Sequence, residues 1–394
     1  MPEISKPRIN TIDLIRGFAV LGILLMNITS FSQVGIAYLN PLQGAGIEGM
    51  NGILWNLNWL FSDMRFMSMF SMLFGAGVII FSQNLEAKGK KSWPLHYRRM
   101  LLLLAFGMVH AYLIWLGDIL VAYSICGMIV FLLRKKSIKT LAIAAGILFS
   151  VPILISALNY FGAPQEALEE AFAFWSPSQE EVNEKINIYR GAYSGQMEDR
   201  FMEAVFLQTF IFLFEMMWRV CSLMLLGMIL FRTGFLSGEK SDSTYKKVAW
   251  STLPVGLGLS AIGLYLAYRH NWDGVYVMGI GTKFNYIGSV PMAIGYMSLL
   301  ILAFKSQTFI GLQARLMAAG RMAFTNYIFM SVVGLIMFTG VGFALMDTFS
   351  RLEMLLTTLV IWAVMLWVSP IILARFKQGP LEKFWRYLTY FGRW

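Results

Sequence analysis

The sequence predicts an all-α fold, a polytopic bundle of helices that spans a membrane. Of its 394 residues, 57% are hydrophobic and only 14% are charged, a balance too apolar for a soluble domain. Apolar runs of about twenty residues, long enough to cross a bilayer as helix, recur along the whole length. Basic residues gather at alternate gaps between those runs, which is the topology signal of a multi-pass membrane protein.

The apolar runs place about ten spans, near 12–34, 56–82, 98–116, 119–134, 138–158, 205–231, 248–268, 284–304, 322–345 and 353–374. They form one transmembrane domain over 1–394. Lys6, Arg8 and Arg16 precede or open the first span. "KGKK" and "HYRR" precede the third, "RKKSIK" follows the fourth, and Arg232 with "YKK" follows the sixth. Lys305, Arg315 and Arg321 fall between spans eight and nine, and a basic tail covers 375–394. These gaps hold 24 of the 32 Lys and Arg residues. The long gap 159–204 is instead acidic, with "EALEE" and "SQEEVNEK". Both termini are therefore expected in the cytoplasm and 159–204 outside. The net charge of +10 follows from this topology and from contact with anionic lipid, and calls for no nucleic acid. Membrane lipids and a small-molecule or lipid-linked substrate are the expected partners, with a homodimer allowed.

Three histidines and two cysteines do not make a zinc site or a disulfide framework. Cys126 and Cys221 both lie in apolar runs and read as packing residues. No metal and no tightly held cofactor is expected, and the chain carries no phosphate loop or dinucleotide fingerprint.

Chemistry is sought where ionisable groups enter apolar spans, because such groups are costly unless they face protein or water. "GMVHAYLIWLGDIL" places His110 about 16 Å into span three at 1.5 Å per residue. Asp118 follows at the outer mouth, in a tight turn after Gly117. His110 and Asp118 are the candidate catalytic pair, bordering one polar cavity open to the outside. Alternatively, His110 bonds a backbone carbonyl in a sealed site and Asp118 caps the next helix. In span six, Gln208, Glu215 and Arg219 are spaced by seven and four, one stripe of an α-helix. In span one, Asp13 and Arg16 lie a turn apart, and Asn27 shares the face of Arg16 three turns on. Asp63 and Arg65 sit near the outer end of span two, above a small-residue stripe of Ser68, Ser71 and Gly75 suited to close packing. Arg321 and Thr325 share a face where span nine opens, and Asn326 lies on another side.

These pieces resemble a family. "RGFAVLGILLMNI", "YLNP", "FSMLFGAG", "GMVHAYLIWLGDILVAY", "GRMAFTNYIFMS" and "GPLEKFWRYLTY", in that order, are similar to the hallmarks of YeiB-like bacterial membrane proteins (domain of unknown function 418). The likeness covers nearly the whole chain. Arg16, Asn27, His110, Asp118, Arg321, Asn326, Glu382 and Arg386 fall inside its motifs. A more distant likeness joins "DLIRGFAVLGILLMN" and the stretch from Asp63 to Gly75 to transmembrane acyltransferases, including the heparan-glucosaminide acetyltransferase group. It implies transfer of an acyl group from cytoplasmic acyl-CoA, a co-substrate, to an acceptor on the far side. Those acetyltransferases use a histidine in the loop between their first two spans. Residues 35–62 hold none here, so His110 would serve from another helix.

Two functions follow. In an acyltransferase-like enzyme, His110 is the general base and Asp118 orients it. Arg16, Arg321 and the basic cytoplasmic gaps face the donor phosphates, and Gln208, Glu215 and Arg219 line the acceptor path. In a transporter or flippase of a small polar or amphiphilic solute, ten spans divide into two inverted halves of five. "IRGFAVLGILL" and "WRVCSLMLLGMIL" echo each other faintly in that sense.

Overall fold

A computed structural model describes residues 8–391. Lys6 of the N-terminal basic group and residues 392–394 of the tail, Arg393 among them, lie outside the described residues. Every expected span is helical, and among the described residues there is no strand. The helices are α1 (Asn10–Ser32), α2 (Met50–Phe61), α3 (Arg65–Glu86), α4 (Ser92–Leu113), α5 (Leu120–Phe131) and α6 (Ile138–Gly162). The acidic segment forms α7 (Gln165–Ala171), α8 (Gln179–Arg190) and α9 (Tyr193–Phe206). There follow α10 (Met217–Arg232), α11 (Asp242–Arg269), the single turn α12 (Gly274–Tyr276) and α13 (Thr282–Lys305). Last come α14 (Ile310–Arg321), α15 (Ala323–Phe338), α16 (Arg351–Phe376) and α17 (Pro380–Tyr390).

Local chemistry sets many of these ends. Ser137, Ser241 and Ser350 cap α6, α11 and α16 by accepting from the backbone N–H three residues on. Ser178 and Glu181 form a reciprocal capping box at α8, satisfying two N–H groups that the helix leaves open. Pro152, Pro254, Pro291 and Pro370 sit inside long helices, which a packed membrane bundle tolerates.

Seven helical stretches are long and apolar enough to cross a membrane, or eight with the bent pair α14–α15. The two remaining expected spans are α4 and α5. Helix α4 carries His96, Arg98 and Arg99 in its first half, and α5 has only 12 residues. They pack on each other as a hairpin.

Three spans depart from the expected continuous α-helix. Span two breaks at 62–64, where Met64 takes a left-handed conformation (φ 64°) before α3. Span six runs end to end from Tyr193 to Arg232, but Leu207–Met216 is wound as a π-helix. Span nine is α14 and α15 meeting at 83°. Arg321 and Thr325 therefore lie on two helices and do not share a face.

Helix α1 is the axis of the bundle. It packs against α3, α13, α14, α15 and α16, and 72% of its apolar window is buried. Its tightest contact is with α14. A methyl group added at Gly17 would lie 1.8 Å from the Leu316 carbonyl oxygen, and one at Gly320 2.0 Å from that of Asp13. The small-residue stripe of α3 does pack as expected: Ser68 bonds Arg219 of α10, Ser71 bonds Tyr123 of α5, and Gly75 meets the Met224 backbone.

Candidate functional site

Helix α4 ends at Leu113, earlier than Gly117. The N–H groups of Ile114 and Trp115 both bond the His110 carbonyl, at 2.9 and 2.8 Å. The chain then folds back through Trp115 and Gly117. A side chain at Gly117 would meet the Trp115 ring at 2.3 Å, so this residue is what lets the indole turn in. The reversal brings Asp118 Oδ2 to 2.6 Å from His110 Nδ1. Both side chains are buried, 1% and 0% exposed. Asp118 Oδ1 accepts from Val121 N–H at 2.8 Å and starts α5. The carboxylate is thus both the partner of the histidine and a helix cap. His110 bonds no backbone carbonyl. Its Nε2 is buried and makes no hydrogen bond within the described residues. The Tyr327 ring lies 5.0 Å away and the Trp115 ring 6.2 Å away.

Two cavities meet at this hairpin. The larger, about 1080 Å³, opens toward the acidic segment. Asp118, Ile119, Val121 and Ala122 contribute to its wall, as do Asn27 of α1 and Gln208 of the π-helix. The smaller, about 210 Å³, lies at the other end of the bundle. Arg16, His96, Arg99, Arg321 and Glu382 line it, together with Ile119, Leu120, Tyr123 and Tyr327. Ile119 belongs to both walls. The first turn of α5 is therefore the partition, and its backbone is pinned by Ile119 N–H donating to the Tyr327 hydroxyl at 3.2 Å. His110 sits one layer behind the partition and lines neither cavity, so the pair does not border one cavity as expected; Asp118 reaches the large cavity's wall through its backbone, its carboxylate being buried with the imidazole.

The structure separates the other candidates. Asp13 is buried and pairs with Arg8 and, at 3.2 Å, with Arg16. The Asn27 side chain makes no hydrogen bond within the described residues and lines the large cavity. Arg16 and Asn27 thus reach opposite cavities from one helix. Arg321 donates to the Lys377 carbonyl at 3.0 Å. Asn326 bonds Ala319 O and Ser369 Oγ inside the bend of span nine, at 3.1 and 3.2 Å. It staples that bend and lines neither cavity. Glu382 of α17 accepts from Phe324 and Thr325 N–H at 2.8 and 3.1 Å, capping α15 from another helix. Arg386 is exposed.

The expected stripe on span six does not form. An α-helix returns to the same face after seven residues, but a π-helix, closing i→i+5, advances less per residue. Gln208 therefore turns into the large cavity, where Tyr112 donates to its Oε1 at 3.3 Å. Glu215 faces Lys283 at 3.6 Å. Arg219 is buried among Ser68, Ser289 and the Tyr286 carbonyl, at 3.0, 2.7 and 3.1 Å, under the Tyr286 ring. Neither Glu215 nor Arg219 lines the large cavity.

Asp63 also lies apart from His110. It accepts from Tyr38 at 3.2 Å and Asn285 at 2.7 Å. Arg65, wholly buried, bonds Asn285, Ser260 and the Asp63 carbonyl. Burial, then the Asp63 charge, pushes the Tyr38 hydroxyl well above its ordinary value. Tyr38 therefore stays a donor.

Sequence reasoning passed over Tyr112, Tyr327 and the Lys185–Asp199–Glu203 group at the large cavity's rim. An aromatic or a loop charge is ordinary at such positions, so only the cavity marks them. Among the described residues, no group of three or more His, Cys, Asp or Glu is arranged to hold a metal ion.

The fold and site define a polytopic helical membrane protein with two cavities divided at a buried His–Asp pair. Residues 230–392 match the family described as "Protein of unknown function (DUF418)". The chain is 29% identical to "Uncharacterized protein YeiB" of Escherichia coli (strain K12), over 96% of this chain and 95% of that one. It is also 29% identical to "Uncharacterized protein YxaH" of Bacillus subtilis (strain 168), over 99% and 96%. A third relative, "Uncharacterized 39.9 kDa protein in amylase 3'region" of Bacillus acidopullulyticus, is 27% identical over 99% and 96%. No solved structure matches. The chain is thus similar to YeiB and YxaH over nearly its whole length, and its C-terminal part matches the DUF418 model.

Proposed function

We propose that this protein is a membrane-bound acyltransferase of the bacterial cytoplasmic membrane, using acyl-CoA from the cytoplasmic side and an acceptor from the outer side. The observation that carries this reading is the His110–Asp118 pair at a thin partition between two cavities of different charge. The small cavity gathers Arg16, Arg99 and Arg321 against one carboxylate, Glu382. Guanidinium groups of this kind suit the phosphates of a CoA thioester. The large cavity presents Asn27 and Gln208, whose polar groups orient an acceptor.

Asp118 accepts a hydrogen bond from His110 Nδ1–H, which fixes the tautomer and leaves the lone pair on Nε2. That nitrogen removes the proton of an acceptor hydroxyl or amine. The acceptor atom bonds to the thioester carbonyl carbon, the carbon–sulfur bond breaks, and the CoA thiolate leaves. It recovers the proton from the imidazolium. Both substrates must meet at α5, so opening the Ile119–Tyr327 partition is part of the cycle.

A transporter or flippase is the competing reading, and the large cavity's volume favours it. One experiment separates the two. Purified protein in nanodiscs is given radiolabelled acetyl-CoA and a lipid extract of its membrane. Acyl transfer predicts free CoA and a labelled product, both lost in His110→Ala. Label that appears in no product, with CoA unreleased by the wild type, overturns the enzyme reading.

A further inference from the structure

We infer that the large cavity takes an amphiphile with one long apolar chain and an uncharged or cationic head, and excludes phosphate-bearing heads. This inference deepens the proposed function by naming the acceptor class, and rests on that reading for the acceptor's fate. Three observations lead to it.

The cavity, at about 1080 Å³, is at or above the upper end of roughly 300–1,000 Å³ for ordinary small-molecule sites. Its deep wall is apolar, with Ile23, Met26, Met67, Val121, Phe212 and Met216. The π-helix supplies part of that wall. Gln208, Phe212 and Met216, four apart, all line the cavity, while Phe210, Leu213 and Phe214 of the same segment are exposed on its outer side. A wall that is apolar on both faces is suited to a chain that arrives from lipid.

The polar groups are sorted by depth. Asn27 and Gln208 lie on the bundle helices and offer neutral hydrogen bonds; the Gln208 Nε2 is buried and without a partner. The charges belong to the acidic segment. Glu181, Glu184, Asp199 and Glu203 line the cavity there with a single base, Lys185. Lys185 is already paired with Asp199 and Glu203, so it has little charge left for a ligand. The acidic segment thus gives the cavity four carboxylates to one ammonium. Like charge inside a partly enclosed cavity is poorly screened and repels an anionic head. The small cavity has the opposite balance, three guanidinium groups to one carboxylate, so each cavity would reject the other's ligand.

The test is equilibrium binding in phosphatidylcholine nanodiscs, read by native mass spectrometry without any acyl donor. The probes are 1-O-hexadecylglycerol, hexadecylamine, hexadecyl phosphate and 1-O-butylglycerol. Hexadecylglycerol and hexadecylamine should bind one per chain, at least about tenfold more tightly than hexadecyl phosphate or butylglycerol. Glu184→Lys, an exposed change, should narrow the gap between the neutral and phosphate probes. Met216→Trp should weaken every long-chain probe. If that variant fails to fold, Asn27→Phe blocks the cavity instead, because the Asn27 side chain has no bond within the described residues to lose. Equal binding of hexadecyl phosphate, or affinity that ignores chain length, overturns the proposal. So does binding that persists in a folded, blocked variant. Because no donor is present, His110→Ala should bind the probes like the wild type. Probe binding without CoA-dependent transfer would reject the enzyme and keep this cavity assignment. Transfer to short soluble alcohols alone would do the reverse.

Discussion

Two buried polar clusters in this bundle look alike in sequence and differ in kind. His110–Asp118 and the Asp63–Arg65–Arg219 group are both ionisable residues set in apolar helices. The second group ties four helices together: Asp63 and Arg65 of span two reach Asn285 of α13 and Ser260 of α11, and Arg219 of α10 reaches Ser68 and Ser289. Its polar atoms are mostly spent on neighbours, and neither arginine lines the large or the small cavity. His110 spends one nitrogen and keeps the other unbonded behind a partition between two cavities. The contrast teaches that cost in the membrane marks a residue as constrained, while a remaining free valence beside a space marks it as available for chemistry.

The largest expected effect comes from removing the single carboxylate of the structural cluster. Asp63→Leu would take the acceptor from Tyr38 and Asn285 and the carboxylate from beside the buried Arg65, a loss on the order of 3–5 kcal/mol. The melting temperature in detergent should fall steeply, or the protein should fail to accumulate. Arg219→Leu should also lower it, but less, because Ser68 and Ser289 each keep a backbone carbonyl partner at Met64 and Tyr286. Equal melting of Asp63→Leu and wild type would refute the structural role.

His110→Ala should do the opposite, keeping the fold and losing transfer by about 10²–10⁴-fold, the usual contribution of a general base. Thermal melting and CoA release on the same preparation decide it. Loss of the fold would move His110 into the structural class. Asp118 sharpens the comparison because it has two tasks. Asp118→Asn keeps an acceptor for Val121 N–H yet presents a neutral partner to the imidazole, so activity should fall with little change in melting. Asp118→Ala should lose the cap as well, at about 1 kcal/mol.

Arg16→Ala and Arg321→Ala, at the small cavity, should raise KM for acyl-CoA about tenfold each, with kcat held within a few-fold. An unchanged KM would remove the donor from that cavity. The smallest effect is expected at the rim. Burial lowers the Lys185 pKa, but Glu203 and then Asp199 outweigh it, and the net shift is upward. A raised pKa contributes stability that is whole below the ordinary lysine value and fades as pH rises through the folded one. Glu203→Gln should therefore cost under about 1 kcal/mol at neutral pH, since the pair is partly exposed. It should also flatten the decline of stability at alkaline pH, measured by melting between neutrality and the lysine range.

Much of this was legible in the residues. All ten apolar segments are helices, and the tight turn after span three does return Asp118 to the bundle. Span six was misread because seven-and-four spacing assumes 3.6 residues per turn, and the π-helix at Leu207–Met216 alters that phase. Span nine was misread because nothing local marks an 83° bend; Asn326 and Glu382 fix it through Ser369 and helix α17, distant in sequence. Span two hides its break because Met64 is an unusual residue for a left-handed conformation.

The sequence by itself determined the class of protein, the helical segments, the alternation of basic and acidic gaps and the short loop that joins His110 to Asp118. These depend on composition and on residues within a turn or two of each other, where propensity and solvation act directly. Only the tertiary structure decided which polar groups face empty space. A cavity is the volume left between helices that pack imperfectly, so its walls come from segments as distant as Asn27, Asp118 and Gln208. No local pattern encodes that volume, because it is set by how α1, α5 and the π-helix are held apart by the rest of the bundle.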